Sequence, residues 1–374
     1  MTNQIQVPPN RFNWIDRTKG LAILFILIFH FFQNYPDRIN IVSALDRNLA
    51  KVGYAAVDIF FLMAGFNVSY AIISKLRKDG IDKIKVNWKS WLSKRLSRLY
   101  PAYLLAFILS CLLRFSFSDF QIKSFLNFGL SFLGLAGMKF QAVNPGFWFF
   151  TVILEAYIFT PILFSLCQNN FQKILIFGSA IAILTKIVSF SFLLRQNSFF
   201  YIFFLQTNFL GSYLFQFCLG LYWGWIYAEH KAFRKIDFIV ATSIFIVGFI
   251  FYAILGITKI NIVYMLGFDM LFTPIFFLMI QSLLSRLDKI DKIQRLLGFL
   301  SILGIYSYQI YLIHQPLYFV LLPKLKQAIQ INSSLKIIIS LMIASVVLTL
   351  YVILFTKIEK LMMKLIGNVI SKQN

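Results

Sequence analysis

The chain has 374 residues, 59% of them hydrophobic and only 13% charged, and its 36 Lys and Arg against 14 Asp and Glu give a formal net charge of +22. A mean hydropathy of +0.76, with apolar runs of membrane-spanning length recurring along the chain, excludes an ordinary water-soluble domain and predicts a multipass membrane protein. The charge does not point to nucleic acid, because the basic residues sit in short loops between apolar runs, where the positive-inside rule puts them on the cytoplasmic face.

The first apolar run follows Ile15-Asp16-Arg17-Thr18-Lys19-Gly20, continues from Leu21 to Phe29 and ends in His30. It lacks a small-x-small cleavage signal and reads as an uncleaved anchor. An imidazole in an apolar span is costly unless it pairs, lines a cavity or does chemistry, which makes His30 the first functional candidate. Lys19 lies eleven residues earlier, on nearly the same helical face and about 16 Å away along the axis. The competing reading is a snorkelling lysine and a histidine hydrogen-bonded between helices.

The second span opens Val57-Asp58-Ile59-Phe60-Phe61 and carries Gly65. Asp58 is placed to orient an imidazole or hold a sugar hydroxyl, or simply to meet a helix dipole. The loop that follows, Lys75 to Arg98, carries Lys75, Arg77, Lys78, Lys83, Lys85, Lys89, Lys94, Arg95 and Arg98. That density fixes it as cytoplasmic, and the N-terminus with it. Arg95 and Arg98 share one face where the third span begins, so they can clamp phosphates bidentately or meet lipid headgroups.

Ile122 to Met138 is moderately apolar. If it does not cross, the basic loops His230 to Lys235 and Arg286 to Arg295, and the tail Lys357 to Lys372, all fall inside, so it reads as a re-entrant or interfacial helix on the outer side. The fourth crossing opens Asn144-Pro145-Gly146-Phe147-Trp148 and carries Glu155, Tyr157 and Pro161. A carboxylate at Glu155 must pair, protonate or face water, and Lys186 and Asp269 are further intramembrane ionisables whose partners the sequence leaves open. His314, within Tyr308-Gln309-Ile310-Tyr311-Leu312-Ile313-His314-Gln315-Pro316, is a second histidine within a span, structural or catalytic.

The expected architecture is an all-α polytopic membrane bundle of about ten transmembrane helices plus one re-entrant or interfacial helix, with both termini cytoplasmic. The spans run approximately over 20–32, 54–74, 100–115, 147–167, 173–194, 208–228, 236–256, 262–284, 301–322 and 335–355, and residues 1–374 read as one domain. Cys111, Cys167 and Cys218 have no metal-ligand spacing, so no metal is expected. The lack of internal repeats lowers the case for a transporter built of two matching halves.

Together these segments resemble the acyltransferase-3 family of multipass membrane acyltransferases. The likeness is carried by Ile-Asp-x-x-Lys-Gly-Leu-Ala through His30, Val-Asp-Ile-Phe-Phe through Gly-Phe66, and Arg95-x-x-Arg98-x-Tyr-Pro-Ala-Tyr103. It continues in Trp148 through Tyr157 and Pro161, and in Tyr308-x-x-Tyr-Leu-Ile-His314-Gln-Pro. The resemblance implies O-acyl transfer, usually of acetyl, from cytoplasmic acyl-CoA to a hydroxyl of a cell-surface polysaccharide or lipid-linked saccharide. It also implies the plasma membrane of a bacterial-type cell as the location.

On that model Arg95 and Arg98, with Lys19 assisting, bind the CoA co-substrate, and His30 acts as general base or as acyl-carrying nucleophile. Asp58 or His314 orients it or binds the acceptor, with Trp148, Glu155 and His314 on the substrate side. The partners expected are acyl-CoA, a glycan acceptor and membrane lipids, and no nucleic acid. Lys19 stands where the family has arginine and loses its bidentate fork. Ala64 replaces a common serine, and Glu155 sits two residues beyond the glutamate of one family branch, turned by about 200°. The rival reading is a secondary transporter or flippase for a glycan, lipid or acyl group, which would move its substrate without consuming CoA.

Overall fold

The computed structural model describes residues 12–79, 84, 86–117, 121–137, 140–195, 209–256, 268–330 and 333–371. Lys83, Lys85, Met138, Asn208, Ile262 and Lys372, named above within loops or spans, lie outside that set.

Regular structure among the described residues is entirely helical. The chain forms α1 (Asn13–Asn34), α2 (Asn40–Lys78), α3 (Trp88–Phe117), α4 (Phe125–Phe132), α5 (Trp148–Leu166) and α6 (Phe171–Leu194). It continues through α7 (Leu214–His230), α8 (Lys235–Leu255), α9 (Phe268–Leu287), α10 (Gln294–Ile305), α11 (Ser307–Ala328) and α12 (Ser333–Ser371). Among the described residues, seven helices are long and apolar enough to cross a membrane, and an eighth span arises if α10 and α11, bent by 77° at their junction, count as one. Helix α1 carries Asp16, Arg17 and Lys19 in its first turns, which dilutes its hydropathy, and α7 has only 17 residues. At 1.5 Å per residue these two are still about 33 Å and 26 Å long.

Backbones approach closely where side chains vanish, the packing mode expected where lipid supplies no hydrophobic drive between helices. Helix α2 packs most extensively against α7. A Cβ on Gly65 would run into the Phe217 carbonyl, one on Gly220 into the Leu62 carbonyl and one on Gly224 into the Phe66 carbonyl. Gly65 is therefore a helix-packing contact. The α1–α10 crossing is built the same way, with Gly20 against the Leu300 carbonyl and Gly304 against that of Asp16.

Polar ties sort the helix ends into two sets. Arg77 pairs with Glu229, joining the ends of α2 and α7, and Arg17 meets Asp288 at 2.6 Å, joining the start of α1 to the end of α9. The Tyr308 hydroxyl donates to the Leu99 carbonyl at 3.0 Å and Gln309 to Glu359 at 3.2 Å, which brings in α3, α11 and the distal half of α12. At the opposite end Asp37, in the α1–α2 turn, holds Lys326 at 2.7 Å and Lys336 at 3.7 Å.

Between α3 and α5, the described residues 121–137 and 140–147 pack along α3. Helix α4 has eight residues, capped by the Ser124 hydroxyl accepting from the Asn127 amide. At about 12 Å it is far shorter than a hydrocarbon core. Its Phe128 and Phe132 pack on Phe107, the Tyr103 hydroxyl donates to the Ser131 carbonyl, and Tyr100 reaches the Phe132 carbonyl at 3.4 Å. The chain turns back through Gly134, at φ 72°, a backbone state that favours glycine. It then climbs until the Val143 carbonyl accepts from Arg114 at 2.5 Å. From Phe117 down to Tyr103 is fourteen residues of helix, about 21 Å of depth.

Candidate active site

Helices α1 and α11 each contribute one histidine, and the two meet. His30 Nδ1 lies 2.8 Å from His314 Nε2, with ring centroids 5.0 Å apart. His314 Nδ1 in turn faces the carbonyl oxygens of Tyr311 at 2.8 Å and Ile310 at 3.1 Å. A carbonyl only accepts, so His314 carries its proton on Nδ1 and, in the neutral pair, offers Nε2 as an acceptor. His30 must then donate from Nδ1, and its Nε2 keeps the free lone pair. His314 is fully buried while His30 retains partial exposure. One imidazole thus anchors the tautomer of the other, the arrangement an orienting group gives a general base.

Aromatic rings surround the pair. Tyr311 packs on His314 at 5.7 Å and on Phe149 at 4.8 Å. Phe149 leads to Phe61 at 5.0 Å, and Phe61 stacks on Tyr213 at 4.4 Å. Trp148, buried, stacks on Tyr213 at 5.4 Å and so belongs to this shell. Asn144 reaches the Leu312 carbonyl at 3.4 Å and holds the Gly146 amide at 3.0 Å, setting the start of α5 against α11 beside Gln315.

Asp58 lies in a buried polar chain. It accepts from Gln216 at 3.0 Å and Thr273 at 3.2 Å, Gln216 also donates to Asp269 at 2.6 Å, and Asp269 pairs with Lys186 at 2.8 Å. All five side chains are buried. The two intramembrane ionisables whose partners were open in the sequence are therefore each other's, and Asp58 joins them through a carboxamide. Gln216 and Thr273 were missed by sequence reading, although Gln216 is a polar side chain in the apolar run Leu214-Phe215-Gln216-Phe217-Cys218. Glu155 accepts the Leu210 amide at 3.1 Å, fixing the 3-10 turn Leu210–Ser212 that leads into α7.

At the α3 end of the bundle Trp88, Trp91, Arg95 and Arg98 share one helix face. The Arg95 guanidinium lies 5.3 Å from the Trp91 ring and 5.7 Å from the Tyr157 ring, contacts that hold a cation by its charge while leaving its N–H groups to a ligand. Arg98 is exposed. Tyr308, bonded to Leu99, ties this level to α11, and His314 lies six residues further along that helix, about 9 Å. Lys19 is half-buried on the α1 face of His30. Arg17, two residues earlier and turned away by about 200°, is instead committed to Asp288. Among the described residues no group of three or more His, Cys, Asp or Glu is arranged to hold a metal ion.

Comparison with known proteins adds the family. The model of the acyltransferase-3 family, described as an acyltransferase domain, matches residues 12–355. A curated relative from Rhizobium radiobacter, "Protein 2 in picA locus", is 36% identical over 104 residues, which cover 28% of this chain and 46% of that protein. The chain thus spans less than half the length of that relative, and no solved structure matches it. With a family model covering nearly the whole sequence, the chain belongs to the acyltransferase-3 family.

Proposed function

We propose that this protein is an O-acyltransferase that moves an acyl group, acetyl first among the candidates, from cytoplasmic acyl-CoA to a hydroxyl of a cell-surface or lipid-linked saccharide. The observation that carries the reading is the Tyr311 carbonyl, His314, His30 chain, which leaves His30 Nε2 unprotonated and oriented. In the reaction the acceptor oxygen adds to the thioester carbonyl as His30 Nε2 takes its proton. Collapse expels the CoA thiolate, which takes that proton to give CoA, leaving the acyl ester. Arg95 and Arg98 hold the donor phosphates, and Lys19 contributes charge on the His30 face. Trp148 belongs to the aromatic shell an acceptor would meet; Asp58 and Glu155, with their partners inside the protein, act on the shape of the site.

The topology goes with this reading. Counting α1 and α7 beside the eight apolar spans gives ten crossings of a bacterial-type plasma membrane in a single domain. The Arg95 end and both termini are cytoplasmic, and α4 is a re-entrant helix entering from outside. The buried Asp58–Gln216–Asp269–Lys186 chain is a feature that would also suit a proton-coupled flippase.

The test is acceptor-dependent CoA release by the purified protein in nanodiscs, with acetyl-CoA and a glycan panel, for wild type, His30→Ala and Arg95→Ala/Arg98→Ala. Turnover lost in a folded His30→Ala, with donor binding weakened in the arginine variant, supports the assignment. Undiminished turnover in His30→Ala removes that residue from the chemistry, and glycan flux without CoA release favours the flippase.

A further inference from the structure

The connection between α5 and α6 reads Cys167-Gln168-Asn169-Asn170-Phe171-Gln172, four carboxamides in six residues with no part in the chemistry above. These side chains line a cavity of about 730 Å³ between the ends of α2, α5 and α7, together with Phe171, Trp225, Arg77 and Glu229. Asn169 also lines an adjoining cavity of about 580 Å³, whose walls include Trp88 and Phe164. The volume suits a small organic ligand. Trp88 packs on Trp91 at 5.5 Å, and Trp91 carries Arg95, so a run of packed aromatic side chains leads from the cavity wall to the arginine pair. Trp88 to Arg95 is seven residues of one helix face, about 10 Å.

The lining has the chemistry of a nucleobase site. Gln168, Asn169 and Gln172 are exposed to the groove, and the buried Phe171 stacks at 5.6 Å, planes 6° apart, on Trp225, which keeps partial exposure there. A carboxamide carries one acceptor and two donors, and matches the amino group and ring nitrogen on the outer edge of adenine. The guanidinium of Arg77, which would favour guanine, donates through Nε and Nη2 to Glu229. We infer that this groove binds the adenine nucleotide end of the acyl donor, with the base among the α5–α6 carboxamides and the phosphates at Arg95 and Arg98. The inference rests on the acyl-CoA reading and extends it to the part of the donor farthest from the reacting bond.

The experiment is equilibrium binding of adenosine 3′,5′-bisphosphate to the full chain in nanodiscs. This probe carries the nucleotide end of CoA without the acyl-bearing arm. The expected result is saturable binding that CoA competes away, at least ten-fold weaker for the guanosine analogue. Gln168→Ala/Gln172→Ala and Trp225→Leu should weaken it at least ten-fold while elution volume and melting temperature stay at wild-type values. Equal affinity for the adenosine and guanosine analogues, absence of binding to wild type, or wild-type affinity in both groove variants overturns the site. Failure of the two proposals is distinguishable: groove-dependent nucleotide binding without acyl transfer upholds the site and removes the enzymatic reading. Acyl transfer with an unchanged donor KM in the groove variants does the reverse.

Discussion

His30 and His314 are separated by 284 positions in sequence and by 2.8 Å in space, and the backbone carbonyls behind His314 decide which nitrogen of His30 is free. On the proposed mechanism His314 is therefore a positioning residue. Replacing it by Ala leaves His30 free to flip or change tautomer, and kcat should fall by about 100-fold or more, within the range of a general base losing its geometry. The donor KM should change by no more than a few fold, because the arginine level is about 9 Å away along α11. His314→Gln, whose carbonyl can still accept from His30 Nδ1, should recover part of the loss. Steady-state kinetics on the three proteins checks this, and equal defects in the Ala and Gln variants would assign His314 to packing.

Arg95 is held against Trp91 and Tyr157 with its fork available. Arg95→Lys keeps the charge but not the bidentate geometry. It should raise the donor KM about ten-fold with kcat nearly unchanged, the signature of lost uniform binding. Lys19→Arg works in the opposite direction, adding a fork on the His30 face, and should lower the donor KM. Titrating acetyl-CoA at saturating acceptor measures both.

Much of this site was legible in the sequence because its parts are local. An apolar run ending in His30 and an Arg-x-x-Arg pair at a span mouth each carry their own physical reason. What the sequence could not give is who meets whom. Asp58 read equally well as a partner for an imidazole, a sugar or a dipole, and its engagement with Gln216 and Thr273 depends on the glycine-mediated approach of α2 to α7 and on where α9 packs. Lys186 and Asp269 were visible as costly groups, yet only the fold pairs them. The carboxamide run after Cys167 looks like an ordinary polar turn until the ends of α2 and α7 close a cavity over it. Two short spans are similarly ambiguous, since charge in the first turns of α1 and the length of α7 blur the hydropathy signal that makes the other spans plain.

The Lys186–Asp269 pair predicts an asymmetry in stability. Lys186→Met strands a buried carboxylate and should cost about 3–5 kcal/mol, whereas Lys186→Met/Asp269→Leu removes both charges and should recover most of that loss. Thermal unfolding in detergent, compared across the two variants, reads the difference. A double variant no better than the single one would mean that the chain running on to Gln216 and Asp58 needs Asp269 as an acceptor.

The α1–α10 crossing is equally sharp. Gly304 sits on the Asp16 carbonyl and Gly20 on that of Leu300, so Gly304→Val must push α10 off α1 and should destabilise the protein by about 1–3 kcal/mol or more. Because α10 leads directly into α11, the displacement should also misalign His314, and activity should fall further than the unfolded fraction explains. Gly298, with no neighbour within contact of a Cβ, is the control, and Gly298→Ala should be silent in both measurements.

The dipping segment makes the topology testable from both sides. Lys123, just before α4, is exposed, while Ser131 is fully buried against Tyr103 at the bottom of the dip. In a background lacking Cys111, Cys167 and Cys218, Lys123→Cys should react with a membrane-impermeant maleimide added to intact cells, and Ser131→Cys should not. Lys94→Cys, one residue before Arg95, should react only after the membrane is opened. Labelling of Lys94→Cys in intact cells would invert the protein and put the arginines proposed to hold the donor on the wrong side for a cytoplasmic acyl-CoA. Labelling of Lys123→Cys only after opening would instead mean that the segment enters from the inner face, and ten crossings with both termini inside could not then hold.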